Sequence, residues 1–128
     1  MVSLTDLSRS PICLLDDDPS VLKATGRLLA SAGWTVKTFS EPTSFLAFVR
    51  TERPRVVIID MAMPLMHGLE VQSQVREVSP ATRVIVLTAH DDNAIREKAL
   101  AAGATAFFVK PEREEEFLAG VQAAFSAS

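Results

Sequence analysis

Four short stretches of the chain are continuously apolar: Ile12 to Leu15, Val56 to Ile59, Val84 to Leu87 and Ala106 to Val109. Unbroken runs of this kind predict strands covered on both faces, because a half-exposed strand would alternate apolar with polar positions. A fifth segment, Trp34 to Phe39, interleaves apolar residues with Thr35, Lys37 and Thr38, which predicts an edge strand. Between these runs the apolar positions change to a spacing of three and four. Val21, Leu22, Thr25, Leu28, Leu29 and Ala32 make one helix face, with Asp18 and Pro19 suited to the N-cap and first turn and Gly33 to the stop. Ala94, Ile95, Lys98, Ala99 and Ala102 repeat the spacing before Gly103, and Phe117, Leu118, Val121, Ala124 and Phe125 do so near the C-terminus. Two shorter helices are predicted over about 41–50 and 67–77, the second weakly periodic. Five strand-then-helix units in succession imply an α/β fold, a parallel sheet with helices on both faces, because crossovers are right-handed.

Composition narrows the class. The 128 residues suit one domain, and 48% hydrophobic with 23% charged residues is ordinary globular usage. A formal charge of −3 with no basic stripe leaves nothing to hold a phosphate backbone, so no direct nucleic-acid binding is expected of this segment. The lone Cys13 lies in an apolar run and reads as a small buried hydrophobe. The first ten residues lack an apolar core for a signal peptide, and no stretch approaches the ~20 apolar residues of a membrane span; a cytoplasmic location follows as the expectation. The organisation expected is an N-terminal extension over 1–10, one domain over 11–125 and a small polar tail over 126–128.

Chemistry in open α/β sheets gathers at the carboxyl ends of the strands. There the first strand ends in Asp16, Asp17 and Asp18, the third in Asp60, the fourth in Thr88 and the fifth in Lys110. Any one of these is unremarkable as a solvated loop residue, but four polar strand ends on one edge form a pattern. Clustered carboxylates repel, and a hard divalent cation resolves that conflict: Mg²⁺ takes one or two carboxylates, keeps several waters and accepts phosphate oxygens. Lys110 reads either as a structural ion-pair partner or as a phosphate ligand, and Thr88 adds a hydroxyl donor. A cation, a hydroxyl and a carboxylate-held metal are the parts that phosphoryl transfer needs.

The blocks Leu14-Leu15-Asp16-Asp17-Asp18, Ile59-Asp60-Met61-Ala62-Met63-Pro64 with Gly68, Val86-Leu87-Thr88-Ala89 and Phe108-Val109-Lys110-Pro111 resemble, in this order, the signatures of response-regulator receiver domains. The resemblance spans about residues 11 to 125. It implies a flavodoxin-like (βα)5 receiver with strand order 2-1-3-4-5, which would set the first and third strands about 4.8 Å apart and the fifth roughly 10 Å from the third. It further implies that Asp60 is the phosphoacceptor, that Asp17, Asp60 and the backbone carbonyl of Ala62 ligate Mg²⁺ directly, and that Asp16 holds the ion through water. Mn²⁺ or Ca²⁺ would substitute. Thr88 and Lys110 would bind the phosphoryl group, helped by the backbone N–H groups of Met61 and Ala89, and Thr88 and Phe107 would form the switch. The implied partners are a sensor histidine kinase or phosphotransfer protein, a fused or separate output domain, and a second copy through the fourth-helix, fifth-strand and fifth-helix face. Details such as Thr88-Ala89, Gly103-Ala104 and Phe107 look most like receivers joined to helix-turn-helix transcription factors.

Three positions bear on finer points. Ala62 lacks a polar side chain to steer a water, so this position is expected to tune autodephosphorylation, with Ala62→Asn changing the phosphoryl lifetime. His67 reads as solvated surface, and Glu112 stands where many relatives are apolar. Two other classes share parts of the pattern. A phosphatase of the haloacid-dehalogenase type would need an aspartate where Ala62 stands, and a flavodoxin-like cofactor site would place phosphate against Asp16, Asp17 and Asp18. No P-loop is present. The expectation is a phosphorelay receiver, with at most intrinsic autophosphorylation and autodephosphorylation, rather than an enzyme.

Overall fold

The computed structural model describes residues 10–61, 63, 67–89, 92–110 and 113–126. Strands and helices alternate as β1 (Ile12–Leu15), α1 (Pro19–Ser31), β2 (Val36–Phe39), α2 (Pro42–Glu52), β3 (Val56–Ile59), α3 (Gly68–Val78), β4 (Arg83–Thr88), α4 (Asn93–Ala101), β5 (Ala106–Val109) and α5 (Glu114–Ser126). The strands form one parallel sheet in the order β2-β1-β3-β4-β5. The three central strands β1, β3 and β4 are buried almost throughout, as their unbroken apolar runs require. β2, at one edge, keeps Lys37 and Thr38 exposed.

Side-chain alternation splits the core into two layers. Cys13, Leu15, Val57, Ile59, Val84 and Val86 face α2, α3 and α4, where they meet Phe45, Val49, Val71, Val75 and Ala99. Ile12, Leu14, Ile58, Ile85 and Leu87 face α1 and α5 and meet Leu29, Phe117, Val121 and Phe125. Burial in the first layer pushes the Cys13 thiol up to about 12, with Lys37 only partly opposing the shift. That agrees with its reading as an inert buried residue.

Several boundaries differ from the sequence expectation. β2 begins at Val36 rather than Trp34, because the Trp34 N–H closes the end of α1 on the Leu29 carbonyl (3.1 Å). The Trp34 ring instead packs against Phe125, with centroids 4.7 Å apart. Ala32 is exposed, since α1 has already ended there. In α4 the expected face narrows to buried Ala99 and half-buried Ile95, leaving Ala94, Lys98 and Ala102 in solvent. The weak periodicity of α3 has a specific cause: its buried stripe is Gly68, Val71, Gln72 and Val75, so a glycine and a glutamine occupy core positions.

Each helix runs antiparallel to its strand, so helix N-termini gather at the carboxyl edge of the sheet and C-termini at the amino edge. Asp18 caps α1, its Oδ1 accepting from the Ser20 N–H at 2.9 Å, with Pro19 at the first helical position as expected. Asp92 caps α4 through the Ala94 and Ile95 N–H groups (2.8 and 3.3 Å). Gly33 and Gly103 follow α1 and α4 with φ of +97° and +103°, in the left-handed region that only glycine enters freely.

Candidate phosphoryl and metal site

The sheet ladder continues past the strands and fixes the acidic positions through their backbone. The Asp60 N–H donates to the Leu15 carbonyl (3.0 Å), the Asp16 N–H to the Phe39 carbonyl (3.1 Å), and the Lys110 N–H to the Thr88 carbonyl (2.8 Å). Directly after Asp60, the Met61 carbonyl accepts from the Gly68 N–H (3.1 Å). A Cβ at Gly68 would lie 2.5 Å from the Met61 Cα and 2.6 Å from the Asp60 carbonyl oxygen. Glycine is therefore required for α3 to start against the backbone that presents Asp60.

Asp16, Asp17 and Asp60 converge: each offers a carboxylate oxygen, and those oxygens lie within 4.8 Å of one another. Asp16 and Asp60 are only 2% and 5% exposed and Thr88 is fully buried, so these are not wet loop residues; Asp17 is the exposed member. The Lys110 stem spans the strand tips, placing Nζ 2.5 Å from Asp16 Oδ2 and 3.9 Å from Asp60 Oδ1. The other Asp16 oxygen accepts from the Asp18 N–H at 2.9 Å. Among the described residues three carboxylates stand against one ammonium, a formal balance of −2, with Asp16 and Asp60 buried and Asp17 open to solvent. A hard divalent ion fits this donor set in charge and in oxygen chemistry.

Met61 is fully buried and Ala89 exposed at the mouth of the site. Phe107 is buried beside Val86, its register partner, and because side chains alternate it lies on the same sheet face as Thr88. The Arg96 guanidinium sits over its ring at 5.6 Å. Ala62, Pro64, Pro111 and Glu112, like residues 1–9 and the last two of the tail, fall outside the described residues. Two contributions escaped the sequence reading. His67 is exposed but is no idle surface residue: its Nδ1 accepts from the Leu69 N–H (3.1 Å) and caps α3. Its place just before the glycine that opens a helix was the available signal. Asp92 caps α4, signalled by an acid directly before a helix-forming run.

The family model for the response regulator receiver domain matches residues 12–122. The chain belongs to the response regulator receiver family. This receiver is 42% identical over 115 residues to the response regulator protein TodT of Pseudomonas putida, covering 90% of this chain and 51% of TodT. It is 34% identical to the DNA-binding transcriptional regulator NtrC of Salmonella typhimurium, over 94% of this chain and 26% of NtrC. The receiver thus spans about half the length of TodT. Among solved structures, the Vibrio cholerae chemotaxis protein CheY4 superposes with a TM-score of 0.82 at 30% identity, covering 90% of this chain and 98% of CheY4. The BeF3-activated DrrB receiver domain gives 0.82 at 32% identity, covering 91% and 97%. This is a signalling domain of two-component systems, and the flavodoxin-like (βα)5 architecture with order 2-1-3-4-5 is the one expected. Among the described residues no helix is long and apolar enough to cross a membrane.

Proposed function

We propose that this receiver accepts a phosphoryl group on Asp60 from a histidine kinase or phosphotransfer protein, with Mg²⁺ bound, and that the modified site reshapes the α4-β5-α5 face to control an output domain. The convergence of the Asp16, Asp17 and Asp60 oxygens within 4.8 Å, under a lysine that reaches two of them, carries this reading. An Asp60 oxygen forms the new bond to phosphorus as the phosphorus–nitrogen bond of the donor phosphohistidine breaks, and the imidazole leaves with the electron pair. Asp17 and Asp60 would hold the ion directly, because both oxygens of Asp16 are already engaged, by Lys110 and by the Asp18 N–H. The ion, when bound, neutralises the acids and the incoming phosphoryl oxygens. Lys110 then moves between the acids and the phosphoryl group, Thr88 donates its hydroxyl, and the Met61 and Ala89 N–H groups line the oxygens.

Transfer to Asp60 replaces its single carboxylate charge with a phosphoryl group of about −1.5 to −2, a net gain of about −0.5 to −1 carried on new oxygens, which draws Thr88 inward and Phe107 after it. The buried position of Phe107, on the sheet face it shares with Thr88, supports this coupling. A DNA-binding output domain is proposed from relatives such as NtrC, and homodimerisation through α4, β5 and α5 from the same family membership. The setting would be the cytoplasm. The test is fluorine NMR with beryllofluoride, which stands in for the phosphoryl group. Bound fluorine signals are expected in the wild type with Mg²⁺ and not with EDTA or in Asp60→Asn; bound signals of equal strength in Asp60→Asn would overturn the reading.

A further inference from the structure

Three cations stand over aromatic rings among the described residues, and two of them have plain structural settings. Arg55, over Phe125, is placed there by its bonds to the Phe125 carbonyl (3.1 and 2.8 Å), and Lys37, over Phe48, belongs to the edge strand β2. The third is Arg96, whose guanidinium sits over the Phe107 ring at 5.6 Å. Arg96 is exposed, and among the described residues its guanidinium makes no hydrogen bond or ion pair. An arginine arm with that freedom would otherwise be hydrated and mobile, so the ring itself is what holds it.

The contact ties the ring to the start of α4. Asp92 caps this helix, and the Arg96 N–H donates to the Asp92 carbonyl at 2.9 Å. Ile95 and Ala99 pack α4 onto the core layer that also contains Phe107. The Arg96 stem therefore leaves a fixed backbone, and its head meets the ring where the ring now lies, 8% exposed beside Val86. A ring turned out to solvent would lose this contact together with its burial. The guanidinium is thus a group that discriminates between two positions of the Phe107 side chain.

We propose that Arg96 is a positioning residue for the phosphoryl site: by covering the Phe107 ring it favours the buried position that accompanies an inward Thr88, and so strengthens the hold on the phosphoryl group. This rests on the reading of Asp60 as phosphoacceptor with Phe107 following Thr88. Coupling of this kind is reciprocal. A phosphoryl group on Asp60 tightens the Arg96 contact in return, which carries the change from β5 to the first turn of α4.

The test is the affinity of the full chain for beryllofluoride with Mg²⁺, read by fluorine NMR. A cation over an exposed ring contributes about 0.5–1 kcal/mol, so Arg96→Gln should weaken binding roughly two- to fivefold. Arg96→Lys should restore part of the loss, and Lys98→Gln, which removes the same charge from the solvent side of α4, should change nothing. In a Phe107→Leu background Arg96→Gln should have no further effect, because the ring it acts through is gone. With 4-fluorophenylalanine in the chain, the Phe107 signal, assigned by its loss in Phe107→Leu, should shift in Arg96→Gln and not in Lys98→Gln. No bound beryllofluoride in the wild type would overturn the Asp60 reading and this proposal with it. Wild-type binding that Arg96→Gln leaves unchanged overturns this proposal alone, as does equal weakening by Lys98→Gln or an undiminished effect in the Phe107→Leu background. Tighter binding by Arg96→Gln would place the contact in the unphosphorylated state and also overturn it.

Discussion

Three aspartates share a corner with one lysine at the carboxyl edge of the sheet, whereas four arginines line a cleft at the amino edge with no carboxylate among the described residues. The direction of the helices favours both. Helix N-termini, with partial positive charge, collect beside the aspartates, and C-termini, with partial negative charge, collect beside the arginines. The edges differ in how that favour is used. At the amino edge Arg55 and Arg76 bond the last carbonyls of α5 and α4, so much of the charge is answered within the fold. At the carboxyl edge, among the described residues, three carboxylates face one ammonium, a formal balance of −2 that suits a divalent ion.

The glycines at the two edges should break differently, and this is the largest expected effect. At Gly68 a methyl would meet backbone atoms at 2.5 and 2.6 Å, which cannot step aside. Gly68→Ala should cost about 1–3 kcal/mol in urea unfolding and also slow phosphoryl uptake, because Asp60 is presented by that backbone. At Gly103 the nearest obstacle is the flexible tip of Arg76 at 2.9 Å, and the left-handed φ sets the penalty. Gly103→Ala should cost about 1–2 kcal/mol and leave uptake unchanged. Equal damage to uptake by both would erase the distinction between the edges.

Metal should act on one edge only. Mg²⁺ at ten times its Kd should stabilise the wild type by about 1.4 kcal/mol. Asp17→Asn should reverse the comparison, more stable than wild type in EDTA and little changed by Mg²⁺. Thermal melts with and without the ion check both signs, and an unchanged Mg²⁺ response in Asp17→Asn would remove Asp17 from the ligand set.

Between the edges the sheet should stay neutral. The folded Cys13 thiol is raised to about 12 from 9.0, so the stability it contributes is complete below pH 9 and is lost as pH rises toward 12. The loss between pH 9 and pH 10 should be about 1 kcal/mol, and absent in Cys13→Ala. At pH 8 a thiol reagent should label Cys13 only as fast as the chain opens.

Much of the fold was legible because a parallel sheet writes its central strands as apolar runs such as Val56 to Ile59, and because Asp18-Pro19 and Gly33 mark the limits of α1 in chemistry as well as in pattern. The acidic corner was legible because strand ends place Asp16, Asp17 and Asp60 together once the strand order is known. What stayed hidden depended on contacts between distant segments. Trp34 left the strand for Phe125, and Gln72 took a core position to reach the Ala99 carbonyl. The arginine cleft was equally invisible, since Arg53, Arg55, Arg76 and Arg83 are scattered along the sequence and a net charge of −3 conceals them.

The most direct measurement is intact-mass analysis after incubation with acetyl phosphate and Mg²⁺. One added phosphoryl group is expected on the wild type, none in EDTA and none on Asp60→Asn. A wild type that gains nothing under those conditions, or an Asp60→Asn variant that gains as much, would contradict the assignment of Asp60 as the residue that receives the signal.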